Sequence, residues 1–172
     1  MDTFLLELMA GLPDATQLTR IVFRLAVAAL LGGIVGAQRE RAGKEAGLRT
    51  HMLVSLGAAL FIVAPLEFGM SNDELARIIQ GLIAGIGFLG AGAILKLTDE
   101  KVIKGLTSAA GLWLTAAVGV AAGLGRWGSA MVGVAMIWFI LDVVTRVELR
   151  RHKKTAPDDS AAARETGGQP RG

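Results

Sequence analysis

The chain has 172 residues and a formal charge of +3; 52% of its residues are hydrophobic, 19% are charged, and the mean hydropathy is +0.52. A soluble domain of this size carries about 25% charged residues, and the lack of cysteine excludes a disulfide framework, a thiolate nucleophile and a thiolate metal site. Twenty-three glycines stand well above the usual share of about 7%, and together with the apolar bulk they point to an integral membrane protein rather than a soluble enzyme.

Residues 1–20 open on MDTFLLELMAGLP, which is apolar but too short to cross a bilayer and has no basic start like that of a signal peptide. A segment lying at the outer interface, or re-entering from it, is expected there. Five apolar spans follow, and about 20 helical residues suffice to cross a hydrocarbon core of roughly 30 Å. They cover residues 21–37 (IVFRLAVAALLGGIVGA), 52–68 (with Pro65 expected to kink the last turn), 78–97, 106–124 and 127–145. Residues 146–172 are basic and then polar with few aromatics, and are expected to be disordered. The expected fold is all-α: a polytopic bundle of five transmembrane helices embedded in the lipid bilayer.

Lysine and arginine in short loops stay on the cytoplasmic side. Arg39, Arg41, Lys44 and Arg49 follow the first span, Lys96, Lys101 and Lys104 follow the third, and the tail begins with Arg146, Arg150 and Arg151, all on one side. The opposite loops hold Arg77 and Arg126. This bias predicts an outside N-terminus and a cytoplasmic C-terminus. It also accounts for the basic composition, so no nucleic-acid partner is expected.

The third span contains GIGFLGAG, a literal G-x-G-x-x-G. That fingerprint signals a dinucleotide site only between a strand and a helix, with a ribose-binding acid about 20 residues on; Asp99 and Glu100 come too early, and no turn residues divide Ile78 from Leu97. In lipid, small residues let helix backbones approach. Gly32 and Gly36 in the first span, Gly81, Gly85, Gly87, Gly90 and Gly92 in the third, and Gly111, Gly119 and Gly123 in the fourth are the expected packing positions. The third helix, with glycine on two sides, is expected to be central in the monomer or shared with a second copy in a homo-oligomer. The competing reading is an unwound stretch that offers carbonyls to an ion.

GAQRERAGKEAGLRTHMLVSLGAALF, RIIQGLIAGIGFLGAGAIL and KGLTSAAGLWLTAAVGVAAGLG resemble, in order and spacing, three signature blocks of the MgtC/SapB family. The resemblance implies a bacterial inner-membrane protein associated with adaptation to low magnesium and, in pathogens, with survival inside phagocytes. It further implies a regulator of membrane energetics, with a membrane protein such as ATP synthase or a transporter as partner. Members usually carry glutamate where this chain has Gln38, and many continue into an ACT-like domain where this chain has its polar tail.

The connection from Gln38 to His51 is the richest candidate stretch. Arg39, Glu40, Gly47, Leu48, Arg49, Thr50 and His51 match the family blocks there, with Arg49 and Thr50 expected to clamp the connection to the second helix or to dock a partner. Asp142, about one turn inside the fifth span, is expected to pair with Arg146 or to serve an ion. Arg24 is expected to snorkel or to meet Glu67. Magnesium prefers carboxylate and water oxygens, so Asp142, Glu40, Asp99 and Glu100 form a candidate ion site if they converge. No catalytic residue or resident cofactor is expected. The leading expectation is a non-enzymatic regulator in magnesium homeostasis; the alternative is a magnesium or other cation transporter with a pathway near the third helix.

Overall fold

The computed structural model describes residues 13–97 and 102–144. The chain divides into two compact units, residues 1–138 and 139–172. The first holds helices α1 (Ala15–Arg41), α2 (Leu48–Glu67), α3 (Asn72–Gly92) and α4 (Leu106–Gly123), strands β1 (Leu95–Leu97) and β2 (Val102–Lys104), and nearly all of α5 (Trp127–Phe139). Of the second unit the structure describes residues 139–144, where Ile140–Val144 forms a π-helical turn that carries Asp142. The protein is an all-α membrane bundle. Helices α1 to α4 are each long and apolar enough to cross a bilayer, whereas the apolar helix from Trp127 to Val143 is shorter.

Local chemistry moves several boundaries from where hydropathy placed them. Helix α1 begins at residue 15 because Asp14 and Gln17 form a capping box, with the Asp14 carboxylate accepting the Gln17 N–H at 2.6 Å. Residues 15–20 therefore belong to the first helix; residues 1–12 lie outside the described part. Ser71 and Glu74 start α3 at residue 72 in the same way. Pro65 falls in the last turn of α2, which ends two residues later.

The third span does not run on to Leu97. Helix α3 stops at Gly92, and Leu95–Leu97 pairs antiparallel with Val102–Lys104, Leu95 opposite Lys104 and Leu97 opposite Val102. Glycines 90 and 92 weaken the helix end. The return of the chain fixes where it closes, for at Gly105, with φ +97°, a side chain would run into the Ala93 carbonyl. Only glycine adopts that conformation without strain.

Helix α2 packs on α1 and on α4, α1 also touches α4, and α3 lies against α4 and more lightly against α2. The core is built from small side chains. Ala28, Ala59 and Ala122, all fully buried, meet beside Leu25 and Trp127, and Ala58, Ile86 and Ala116 form a second cluster. Phe23 and Trp127 close the first cluster edge to face, ring centroids 5.4 Å apart.

Candidate functional site

Three helix faces meet in a polar seam at the end of the first unit that carries the C-terminus of α1. Gly32, Gly36 and Arg39 share one face of α1, His51 and Ser55 one face of α2, and Ser108, Gly111, Thr115 and Gly119 one face of α4, at the three- and four-residue spacings that align side chains on a helix. The glycines bring the backbones together. A Cβ at Gly36 would stand 2.7 Å from the Leu48 Cα, one at Gly32 would stand 2.6 Å from the Ser55 Cβ, one at Gly123 would stand 2.8 Å from the Ala59 carbonyl oxygen, and one at Gly119 would collide with the Ser55 carbonyl.

Arg39 is 3% exposed, although it lies near the end of α1. Its Nη2 donates to the Ser108 hydroxyl at 3.1 Å, while its Nε is buried and has no protein acceptor. His51 is fully buried, with Nδ1 3.0 Å from the Gly47 carbonyl one turn back. A carbonyl only accepts, so Nδ1 carries the proton of that bond, and Nε2 points toward Gly111, where an added Cβ would lie 3.7 Å away. Nε2 also has no partner, nor do the buried Ser55 hydroxyl and Gln38 Oε1. Thr115 satisfies itself by donating to the Gly111 carbonyl at 2.8 Å. All four of these buried polar atoms lie on the adjoining helices α1 and α2.

Glu40 has a different use from the one its chemistry suggested. Its Oε2 accepts the Leu48 N–H at 2.9 Å, tying the end of α1 to the start of α2, whose cap residue Gly47 offers no side chain. The clamp on this connection is thus Glu40, whereas Arg49 and Thr50 are exposed. Its carboxylate accepts that one backbone N–H, and Asp142 lies in the second unit. Asp99, Glu100 and Arg146 lie outside the described residues, so the pairing of Asp142 with Arg146 does too. Among the described residues no cluster of three carboxylates or histidines suits a metal.

The remaining expectations sort by location. Arg24 donates to the Gly123 carbonyl at 2.9 Å and does not meet Glu67, bridging α1 to the last turn of α4. Gly90 packs at 3.6 Å on the Ala109 Cβ, but Gly81, Gly85, Gly87 and Gly92 have no atom within 4 Å of an added Cβ. Helix α3 is therefore not the close-packed centre of the monomer; α2 is. Ser55 and Ser108, which complete the seam, escaped sequence reasoning. The usable signal was their register, since Ser55 falls four residues after His51 and Ser108 three before Gly111.

The seam opens into a cavity of about 900 Å³ lined by Arg39, Thr107 and Ser108 and by the apolar Val54, Leu89 and Leu112. Comparison with known proteins matches residues 25–150 to the model of the MgtC family. The chain belongs to the MgtC family. MgtC-family relatives include the protein SrpB of Synechococcus elongatus, 39% identical over 73% of this chain and 75% of its own length. The putative magnesium transporter YhiD of Escherichia coli K12 is 38% identical over 77% of this chain and 64% of its length. Protein MgtC of Salmonella typhimurium LT2 is 40% identical over 67% of this chain and 48% of its length. The chain thus spans only about half to three quarters of these MgtC-family proteins. No solved structure matches it significantly. The polar seam and the residues lining the cavity all lie inside the stretch matched to the MgtC family.

Proposed function

We propose that this protein is a non-enzymatic regulator in the bacterial inner membrane that acts in magnesium homeostasis and adaptation to low magnesium, without itself conducting the ion. The observation that carries this reading is the buried Arg39 at the junction of α1, α2 and α4. A guanidinium is charged at every physiological pH. At about 5 Å and an effective dielectric constant of about 20 it opposes a divalent cation by on the order of 7 kcal/mol. A magnesium path through the polar part of this bundle would have to cross that barrier.

The charge bias supports an outside N-terminus and a cytoplasmic C-terminus, which puts the Arg39 end of the bundle in contact with cytoplasm. The open glycine face of α3 suits contact with a second copy or with another membrane protein, such as ATP synthase or a transporter, and the exposed Arg49 suits a cytoplasmic surface of that partner. Cation transport is the competing reading, and it draws on the printed name of the E. coli relative, a putative magnesium transporter.

Sealed liposomes holding the purified protein and a magnesium-sensitive dye separate the two. Flux at the level of protein-free vesicles is expected, from protein that also restores growth at low magnesium to a strain lacking its relatives. Saturable flux above that level would overturn the regulatory reading.

A further inference from the structure

We infer that the cavity beside Arg39 is a binding site for a phosphate ester, held by the Arg39 guanidinium and the N-terminus of α4. The inference does not depend on whether the protein regulates or transports.

Helix α4, of 18 residues, begins directly after Gly105, and no side chain caps it. Its first backbone bond is Ala109 N–H to the Gly105 carbonyl at 2.8 Å, which leaves the N–H groups of Leu106, Thr107 and Ser108 without an intrahelical acceptor. All three residues line the cavity. Uncapped N–H groups at a helix start, with the positive end of the helix dipole behind them, favour an anion.

Arg39 supplies an independent observation. It reaches the same cavity wall, is almost fully buried, and among the described residues makes a single hydrogen bond, to a neutral hydroxyl, with its Nε unpartnered. A guanidinium has five donors and no acceptor. Burying it against a hydroxyl alone is costly, and an anion that accepts from it removes the cost. Among the described residues no carboxylate pairs with it. Of the other charged residues on the wall, Lys44 adds a second cation and Glu45 is the opposing acid.

Donors converge here from two directions, the guanidinium on α1 and the N–H and hydroxyl groups of Thr107 and Ser108 on α4. A tetrahedral phosphate accepts from both at once, which a planar carboxylate with two oxygens does less well. The cavity, about 900 Å³ and half open, has room for more than a bare ion, and Val54, Leu89 and Leu112 give it an apolar side. Phosphate at the polar end and an organic group along the apolar wall describe an ester. Such an ester comes either from solution or from the headgroup of a membrane lipid.

The test uses the full chain, purified in neutral detergent free of phosphate. One arm titrates glycerol 3-phosphate by calorimetry; the other measures, by native mass spectrometry, binding of phosphatidate against phosphatidylcholine. Saturable binding of glycerol 3-phosphate supports a soluble source, and binding of phosphatidate alone supports a lipid source. In either case Arg39→Lys, which keeps the charge and loses the fork, is expected to weaken binding about tenfold. Lys44→Gln, on an exposed loop where folding is not at stake, is expected to weaken it about threefold. The proposal is overturned if protein with a wild-type unfolding transition binds neither probe, or if neither substitution changes the affinity.

Discussion

Replacing Gly36 with alanine tests the packing of the seam directly. The new Cβ would stand 2.7 Å from the Leu48 Cα and 2.9 Å from the Gly47 and Leu48 carbonyl oxygens, all backbone atoms that no side-chain rotation can move. Carbon atoms rest about 3.5–4.0 Å apart, so α1 and α2 must separate by about 1 Å at this crossing. Overpacking of this kind costs about 1–3 kcal/mol, and the separation also stretches the bond from the Leu48 N–H to Glu40, worth about 1 kcal/mol. Alanine returns up to about 1 kcal/mol of helix propensity. The net expectation is a loss of about 2 kcal/mol. Gly85→Ala is the matched control: its Cβ meets nothing within 4 Å, so stability should hold or rise by about 0.5 kcal/mol. Equilibrium unfolding of both variants in mixed micelles by graded denaturing detergent would measure the difference. Equal stabilities for the two, or a larger loss at Gly85, would refute the assignment of α2 as the close-packed centre.

Other substitutions probe separate features of the same unit. Glu40→Ala removes the acceptor at the start of α2 and should cost about 1 kcal/mol, with faster hydrogen exchange at the Leu48 amide as its local sign. Gly105→Ala meets both a positive φ and the Ala93 carbonyl; a loss above about 3 kcal/mol is expected, visible as failure to purify folded protein, and normal yield would contradict the turn described here. Ser55→Ala deletes a buried hydroxyl that has no partner, so its unfolding free energy should stay within about 0.5 kcal/mol of wild type. Ser55→Val, pressed between Gly32 and Gly119, should lose about 1–3 kcal/mol in the same measurement.

What the sequence disclosed depended on the range of the interaction behind each feature. Long apolar runs report on helix existence, and the four-residue rhythm of Gly111, Thr115, Gly119 and Gly123 describes a face that the structure lays against α2. Gly81 and Gly85 keep the same rhythm yet face open space, because spacing identifies a surface capable of close approach without naming what approaches it. The end of the third span misled for a local reason: the mostly apolar run from Ala93 to Leu97, broken only by Lys96, fits a helix or a strand equally well by periodicity. The decisive contact, Ala93 against Gly105, joins residues separated by a loop. Glu40 was legible as a notable acid but not as a cap, since capping depends on the turn that the chain takes through residues 42–47. Ser108 was illegible for the opposite reason, being an ordinary residue in an apolar helix until Arg39, 69 positions away, comes to rest on it.

Helix α2 sits in glycine notches on both sides, Gly32 and Gly36 from α1 and Gly119 and Gly123 from α4, with Ser55 seated between Gly32 and Gly119. A helix engaged this way behaves like a toothed rack, since sliding it by less than a full turn would drive side chains into backbone. Its 20 residues reach about 30 Å, the thickness of a hydrocarbon core. A displacement of the 42–47 connection is therefore expected to carry α2, α1 and α4 together rather than to be absorbed by sliding of α2 alone.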